Sequence, residues 1–195
     1  MRHLAAFAIV CMLAALVAGC ESSPSRFYTL NATAAPSTAA SRLSVAVGPV
    51  SVPAAVDRPQ IVVSTSANQV TLDDFNRWAS PLQDNLARVV AENLVALLGS
   101  PRVTLFPQTL NADADYRVQI EIRNFESVPG KSASLDAVWT VRRTRDGKTE
   151  TGRTSVREKV DDNGYEALAA AHSRGVARLS QDIADVVRML DRAAS

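Results

Sequence analysis

Apolar and polar residues alternate with a period of two in several segments of the chain, which predicts β-strands. The clearest example is 116–123, in which four apolar residues alternate with charged or amide side chains. This pattern is typical of a strand with one buried and one solvated face. Further strands are predicted at 43–52, with an interruption at Gly48-Pro49, and at 60–64, 69–72, 102–107, 132–144 and 148–160.

Two other segments carry apolar residues at intervals of three and four, as in an amphipathic helix. The first is predicted to begin at Ser80-Pro81, with Ser80 as the N-cap, and to end at Gly99. The second follows the polar turn 161–164 and runs close to the C-terminus. Its apolar stripe consists of Leu168, His172, Val176, Leu179, Ile183, Val186 and Leu190.

The order of these elements, β-β-β-α-β-β-β-β-α, predicts the fold class. Asp146-Gly147 is a strong hairpin signal, and together with Pro129-Gly130 it joins the strands between 116 and 160 into an antiparallel meander. We therefore expect an α+β two-layer sandwich, in which two long helices pack on one face of a mostly antiparallel sheet. A single domain over residues 42–192 would contain all of these elements.

The first twenty residues follow a different pattern. Arg2 and His3 precede an apolar run from 4 to 17, and Ala18-Gly19-Cys20 follows it. This is the organisation of a secretory signal, and its end resembles a bacterial lipobox. We predict that residues 1–19 are a lipoprotein signal peptide and that Cys20 is acylated; the alternative is a plain secretory signal that contains a cysteine by chance. The apolar run is too short for a membrane span, which needs about 20 residues.

The segment 20–41 is rich in Ser, Ala, Thr and Pro and is predicted to be a flexible tether. As a flexible chain it would span about 25 Å and hold the folded domain clear of the lipid headgroups. The aromatic, strand-prone run 26–30 breaks this pattern. We expect that run to dock on a surface or to extend a sheet.

Charge and cysteine content argue against two classes of function. The chain has 195 residues with 21 basic and 20 acidic side chains, and removal of residues 1–19 takes away one of the basic residues, Arg2. Because a nucleic-acid-binding surface is normally strongly basic, no nucleic-acid partner is predicted. The two cysteines, Cys11 and Cys20, would be removed and acylated respectively, which leaves no thiol for a disulfide or a metal site.

The sequence offers little for catalysis or for metal and cofactor binding. It lacks the nucleophile-elbow, zinc-protease, phosphate-loop and dinucleotide-binding motifs, so no catalytic residue, cofactor or metal ligand is predicted. His172 lies on an apolar helix stripe, where a buried core histidine is a better interpretation than a ligand or base. The carboxylate pairs Asp73-Asp74 and Asp161-Asp162 lie beside turns or helix starts, where such pairs more often act as caps.

Two further features have two interpretations each. Seven basic residues between 142 and 159 are interleaved with acidic ones, which favours a solvated sheet face over an anion-binding patch. Trp78, in the run 75–78 before the first helix, could pack on that helix as a hydrophobic staple or be exposed as an anchor for a partner. The sequence does not decide between these two roles.

Several spaced motifs resemble one known protein family. They are Arg26-Phe27-Tyr28-Thr29-Leu30, Val47-Gly48-Pro49-Val50 with Val52-Pro53, Asp57-Arg58-Pro59-Gln60-Ile61-Val62, Arg77-Trp78-Ala79-Ser80-Pro81-Leu82 and Ala91-Glu92-Asn93-Leu94. In this order, over essentially the whole mature chain, they resemble the ABC-type transport auxiliary lipoproteins (PqiC/YmbA-like). The lipobox, the tether and a sheet with two long helices agree with this resemblance.

The resemblance implies a non-catalytic accessory role in lipid transport. In systems of the MCE type, proteins with MCE domains form a conduit between the inner and outer membranes and work with an ABC ATPase and a permease. The family's lipoprotein would dock on this conduit from the periplasmic face of the outer membrane, and a homo-oligomeric ring is one arrangement in which it could do so. Glu21 rather than aspartate follows Cys20, which favours the outer membrane.

The resemblance also implies which residues meet a membrane or a partner. Cys20 would carry the acyl anchor, and Arg26, Phe27 and Tyr28 would add to the edge of a neighbouring sheet. The contact surface would consist of Asp57, Arg58, Pro59, Gln60, Arg77 and Trp78. The alternative is that 57–59 is a structural turn, in which Arg58 pairs with a carboxylate of its own domain.

Two other functions stay open on the sequence. Small lipid-anchored α+β domains also activate peptidoglycan synthases or assemble secretion pores, and the fold alone does not separate these interaction modules from transport. An envelope hydrolase needs only two carboxylates that the fold brings together, although no feature of the sequence indicates such an enzyme.

Overall fold

Eight strands and two helices make up the computed structural model, which describes residues 24–107 and 114–193. The predicted signal peptide and Cys20 lie outside the described residues. The elements are β1 Arg26–Tyr28, β2 Val45–Ser51, β3 Gln60–Ser66, β4 Gln69–Trp78, α1 Leu82–Leu98, β5 Val103–Leu105, β6 Tyr116–Val128, β7 Ser132–Arg143, β8 Thr149–Lys159 and α2 Tyr165–Arg192. The α+β class is as predicted from the sequence, and the order from β2 onwards agrees with the predicted order, to which β1 is an addition.

The strands form two sheets rather than one. The large sheet has the order β5-β2-β6-β7-β8, and the small sheet has the order β1-β4-β3. The meander β6-β7-β8 is antiparallel as predicted, but β2 is parallel to both β5 and β6, and β1 is parallel to β4. The expectation of a mostly antiparallel sheet is therefore only partly confirmed. Parallel neighbours are joined through long crossovers, which local alternation does not reveal.

Both helices cover the same face of the large sheet. Helix α1 packs over β2 and β5, α2 packs over β7 and β8, and the two helices contact each other. One hydrophobic core extends from Leu30 to Leu190. Helix α1 begins at Leu82, one residue later than predicted, and no side chain, that of Ser80 included, caps its first turn. At its other end Gly99 has a φ of 60°, the left-handed C-cap conformation that glycine favours.

The N-terminal segment is bound to the domain instead of being free. Strand β1 pairs with β4, and Leu30 is fully buried. The Oδ1 atom of Asn93 on α1 accepts hydrogen bonds from the backbone N–H groups of Thr33 and Ala34, at 3.1 and 3.0 Å. The prediction of a flexible tether is therefore wrong for residues 31–41, because hydrogen bonds from four of their backbone N–H groups hold them on α1 and its C-cap. The expected docking of the run 26–30 on a sheet is confirmed.

Strand β4 is longer than its sequence pattern indicates. The prediction ended this strand at Leu72, whereas it continues to Trp78 through a bulge at 73–76. In the bulge the Asp73 carboxylate accepts hydrogen bonds from the backbone N–H of Phe75 at 2.8 Å and from the side chain of Asn76 at 2.6 Å. The extra residues break the period of two, so the last part of the strand does not show in the sequence.

Candidate functional site

Two segments that are distant in sequence meet beside the start of α1. The turn before β3 closes on Pro53, whose carbonyl accepts hydrogen bonds from the N–H groups of Val56 and Asp57 at 3.0 and 3.1 Å. The carbonyl of Pro59 then accepts a hydrogen bond from the backbone N–H of Trp78 at 2.7 Å. These bonds fix the turn 53–59 against the end of β4.

A groove of about 330 Å³ lies between these segments. Trp78 and Leu82 form its apolar floor, and Asp57 and Arg58 stand exposed at its rim. The groove is lined by Asp57, Arg58, Pro59, Trp78, Ala79, Ser80, Pro81 and Leu82. An apolar floor that includes a tryptophan, with an arginine beside it, has the composition of a protein-binding hot spot.

The floor of the groove is held by a column of three aromatic rings. Trp78 is only 5% exposed, and its ring meets Phe125 edge-on with centroids 6.2 Å apart. Phe125 in turn stacks on His172 at 3.8 Å. Of the two roles that the sequence left open for Trp78, packing is the one seen within this chain, and its ring packs on Phe125 of β6.

His172 is a core residue, as its place on the helix stripe predicted. Its Nε2 atom lies 2.8 Å from the hydroxyl of Ser127. Complete burial lowers the pKa of His172 from 6.5 to about 3, so the ring is neutral at physiological pH. A buried neutral histidine that is stacked on a phenylalanine supports the fold and is not exposed to a ligand.

Arg58 lies exposed at the rim with no ion pair or hydrogen bond from its guanidinium to any residue in the described ranges 24–107 and 114–193. The structure therefore does not support the alternative in which Arg58 pairs with a carboxylate of its own domain, as far as the described residues are concerned. An unpaired, exposed guanidinium beside an apolar groove retains all of its donors for a partner.

Gln60 and Arg77, which were predicted to belong to the same surface, are instead engaged with the bulge of β4. Gln60 donates a hydrogen bond to the carboxylate of Asp74 at 3.0 Å. The Nε atom of Arg77 donates to the carbonyl of Asp74 at 2.6 Å. The two side chains lie side by side in the small sheet because Gln60 pairs with Arg77 in the register of β3 and β4.

The three predicted strand residues have different environments. Tyr28 faces the domain: its ring lies 5.9 Å from that of Tyr165, and its hydroxyl donates to Asn76 at 2.7 Å. Arg26 is exposed, and Phe27 is 63% exposed. One edge of β1 is already occupied by β4.

The comparison with protein families decides what kind of protein this is. Residues 28–184 match the family of the ABC-type transport auxiliary lipoprotein component. The chain belongs to this family.

Solved structures agree with the fold of this auxiliary lipoprotein. An uncharacterized protein is 22% identical, with a TM-score of 0.70, over 85% of this chain and 99% of the other. Protein XCC0632 from Xanthomonas campestris, of the family DUF330, is 17% identical, with a TM-score of 0.71, over 88% of this chain and 100% of the other. No functionally curated protein matches the chain.

Two of the motifs that carry the family resemblance converge in the groove of this auxiliary lipoprotein. Residues 57–59 of one motif and 78–82 of the other line the groove, while the start of the motif 26–30 forms the adjoining strand β1. Of the six predicted contact residues, four line the groove, namely Asp57, Arg58, Pro59 and Trp78, whereas Gln60 and Arg77 do not. Their role in contacting a partner stays a prediction.

Sequence reasoning assigned no role to Arg88 and Asn93, which hold the N-terminal segment on α1. The guanidinium of Arg88 donates to the carbonyl of Leu30 at 2.7 Å and to the Oδ1 atom of Asn85 at 2.8 Å. Asn85 and Asn93 are both buried on the apolar side of α1. Buried asparagines within an amphipathic stripe were the signal that could have revealed this docking, because a buried polar group requires a hydrogen-bond partner.

Four of the seven basic residues between 142 and 159 form ion pairs with acidic side chains, which agrees with the interleaved charges of the sequence. Arg153 lies 2.6 Å from Asp136, and Lys159 lies 2.5 Å from Asp161. Arg143, which is mostly buried, holds Asp146 at 2.6 Å and lowers the pKa of that carboxyl. These cations have acidic partners, so they do not form a free anion-binding patch.

Neither metal ligation nor a membrane span is seen in the described residues. No group of three or more potential ligands is clustered there, and neither helix is long and apolar enough to cross a membrane. A larger cavity of about 690 Å³ lies at the ends of β6 and β7, lined by Arg42, Tyr116 and Arg143 among others.

Proposed function

We propose that this auxiliary lipoprotein is a non-catalytic accessory subunit of an ABC/MCE-type system that moves lipids between the inner and outer membranes. In this proposal Cys20 carries acyl chains that anchor the protein at the periplasmic face of the outer membrane, and the folded domain docks on an MCE-domain protein. The observation that carries the proposal is the family match over residues 28–184.

The groove beside α1 is the proposed docking site for the partner. It combines an apolar floor with exposed charges of both signs, at Asp57 and Arg58. Tryptophan and arginine are enriched at positions where a few residues supply most of the binding energy. A peptide segment of the partner could cover Trp78 and Pro59 while a carboxylate or a carbonyl accepts hydrogen bonds from Arg58.

Site-specific crosslinking in intact cells tests this proposal. A photoreactive residue replaces Arg58 in one variant, and Lys148 in the turn between β7 and β8 in the control variant. After irradiation the acylated protein is captured and the crosslinked partner is identified. We expect an MCE-domain protein at position 58 and none at position 148, because both positions are exposed but only Arg58 borders the groove.

The identity of the partner separates the proposal from its alternatives. A peptidoglycan synthase or a component of a secretion pore at position 58 would replace the transport role with another envelope interaction. A second copy of the same chain would assign the groove to a homo-oligomeric ring. Equal capture of an MCE-domain protein from both positions would mean that docking does not use the groove.

The proposed anchor has an independent test. Replacing Cys20 by serine removes the thiol that would be acylated, and one acyl chain alone gives only marginal membrane binding, so several chains are required for a stable anchor. We expect the Cys20→Ser variant to be recovered unprocessed or in the soluble fraction. Mass spectrometry of the wild-type protein should show acyl chains on Cys20, and membrane fractionation should recover the protein with the outer membrane. A membrane-bound, acylated Cys20→Ser variant would contradict the proposal.

A further inference from the structure

Exposed apolar side chains are concentrated in the small sheet. Within the part of the chain that the structure describes, seven large hydrophobic side chains are exposed, and four of them belong to β1 and β4. These four are Phe27, Val70, Leu72 and Phe75. The concentration is unusual because isolated exposed apolar residues are normal on a protein surface, whereas clustered ones mark a contact with a partner or a membrane.

The register of the hairpin places two of these residues on one face. Leu72 lies beside Val62, and Val70 lies beside Ser64. Directly paired residues point to the same side of a sheet, and successive residues point to opposite sides. Ile61 is buried and alternates with Val62, so Leu72 and Val70 lie on the side that faces away from the core.

Phe27 lies on the same outward side. It pairs with Arg77, which in turn pairs with Gln60 on β3. Gln60 and Val62 are two residues apart on one strand and therefore share a side, whereas Trp78, next to Arg77, is buried. The outer face of the small sheet, defined by Phe27, Arg77, Gln60, Val62, Leu72, Ser64 and Val70, thus presents four apolar side chains together.

The distance along the chain to the anchor limits where this face can lie. Strand β1 begins at Arg26, six residues after Cys20. Whatever conformation the intervening residues take, they cannot separate Arg26 from Cys20 by more than about 20 Å. Because residues 26–41 are docked on the domain, only the residues between Cys20 and Arg26 can act as a tether, rather than the whole segment 20–41 that the composition indicated. The small sheet must therefore stay close to the leaflet that holds the acyl chains.

The opposite end of the molecule is much farther from the anchor. Tyr165, at the start of α2, contacts Tyr28 of β1. Met189 lies 24 residues further along the same helix, which corresponds to about 36 Å at the rise of an α-helix. The short connection to Cys20 therefore holds the end of the domain that carries the small sheet nearest to the membrane.

We propose that the outer face of the small sheet rests on the lipid surface in which Cys20 is anchored, with Phe27, Leu72 and Val70 in contact with the boundary between headgroups and acyl chains. The proposal rests on the acylation of Cys20 proposed above. It gives Phe27 a lipid neighbour in place of a strand of another protein. Nearby acidic and basic side chains, such as Asp74 and Arg26, are of both signs, so apolar contact rather than attraction to anionic lipid would hold the face in place.

Fluorescence quenching by brominated lipid tests this contact. The acylated, full-length Phe27→Trp variant is reconstituted into phosphatidylcholine vesicles with and without brominated acyl chains. The two native tryptophans are both 5% exposed and give a constant background. We expect the emission added by the substitution to be quenched by the brominated lipid and shifted to shorter wavelength. Leu72→Trp, at a second position on the face, should behave in the same way.

The matched control is Met189→Trp at the far end of α2. Met189 is 43% exposed, so the added tryptophan is accessible to solvent. Its emission should be unchanged by the brominated lipid, and it should be quenched by aqueous acrylamide. Equal quenching of the Phe27→Trp and Met189→Trp variants by the lipid would contradict a defined orientation of the domain.

The experiment separates failure of the contact from failure of the anchor. Acylation is first confirmed by mass spectrometry, and vesicle binding by flotation. If the acylated protein floats but the Phe27→Trp and Leu72→Trp variants are not quenched by the lipid, the anchor stands and the lipid contact is wrong. If these variants are shielded from acrylamide but not quenched by the lipid, a protein surface covers the face, which also overturns the proposal. Failure to acylate or float would instead refute the anchor.

Discussion

The large sheet β5-β2-β6-β7-β8 buries its apolar face under both helices, whereas the small sheet β1-β4-β3 leaves apolar side chains exposed on its outer face. In the large sheet the solvated side carries ion pairs such as Arg153 with Asp136. In the small sheet the outward side carries Phe27 and Leu72. Both sheets use the same alternation of side chains, so the difference lies in what covers each face.

This difference separates stability from contact. The core that joins the helices to the large sheet can account for folding without the exposed residues of the small sheet, because burial of apolar surface is what stabilises a fold. Exposed apolar residues contribute little to stability in the free protein. Under the two proposals above, the small sheet makes the contacts with a partner and with the membrane, and the large sheet with its helices supports the fold.

The largest effect is expected in the helix layer of the large sheet. Leu94 on α1 is fully buried, so Leu94→Asp places a charge in the core and removes the apolar contacts. The free energy of unfolding should fall by about 5 kcal/mol or more, enough to abolish a cooperative thermal transition measured by circular dichroism. Val95→Asp at the next, 38% exposed position should change stability by less than about 1 kcal/mol. Similar losses for both variants would show that the buried face of α1 is wrongly assigned.

A pair of aromatic residues on β4 tests the same contrast within one strand. Trp78 is buried against Phe125, while Phe75, three residues earlier, is 43% exposed. Trp78→Ala should lower the free energy of unfolding by about 3–5 kcal/mol, and Phe75→Ala by less than about 1 kcal/mol, as measured by urea denaturation. If Phe75→Ala proved as costly as Trp78→Ala, the exposed side of the small sheet would be part of the folding core.

The sequence predicted the elements whose alternation is local and uninterrupted. The meander β6-β7-β8 and the stripes of both helices followed from the period of their apolar residues, with His172 placed in the core. One position of the stripe shifted, since Val187 is fully buried and Val186 only partly. Such patterns are reliable because each buried position is separated from the next by a fixed number of residues.

Features that depend on distant parts of the chain were not predicted. The parallel pairing of β1 with β4 joins Arg26 to Asn76, and no local pattern encodes a partner fifty residues away. The bulge at 73–76 also interrupts the alternation of β4. The docking of residues 30–41 depends on backbone N–H groups and on Asn93, which leave little hydrophobic signal. For the groove, the fold brings Asp57, Arg58 and Pro59 beside Trp78, while Gln60 and Arg77 of the same motifs lie outside it.

A substitution at Asn93 tests how firmly the N-terminal segment is held on α1. Asn93→Ala leaves the N–H groups of Thr33 and Ala34 without their acceptor. The loss should lower stability by about 2–3 kcal/mol and should speed hydrogen exchange in residues 31–41 more than in the meander. Gln83→Ala, on the exposed side of α1, is the control and should change neither quantity. Unchanged exchange in Asn93→Ala would show that the segment is held by its other contacts alone.

The smallest expected effect concerns the joint between the two regions. The ring of His172 on α2 stacks on Phe125 of the large sheet, which meets Trp78 of the small sheet. Burial lowers the pKa of His172 from 6.5 to about 3, so between these values the unfolded chain binds a proton that the folded protein does not. Stability therefore falls as the pH falls from about 6.5 towards 3, and it is unaffected by this group at higher pH.

From this group alone, the free energy of unfolding should be about 2 kcal/mol lower at pH 5 than at pH 7. Urea denaturation across this range should show a smaller decrease for His172→Gln, which does not titrate and can still meet the hydroxyl of Ser127. Carboxylates contribute equally to both proteins, so the difference between the two pH profiles isolates His172. Identical profiles would mean that the ring is accessible to protons in the folded state, and that the aromatic column opens where the small sheet meets the large one.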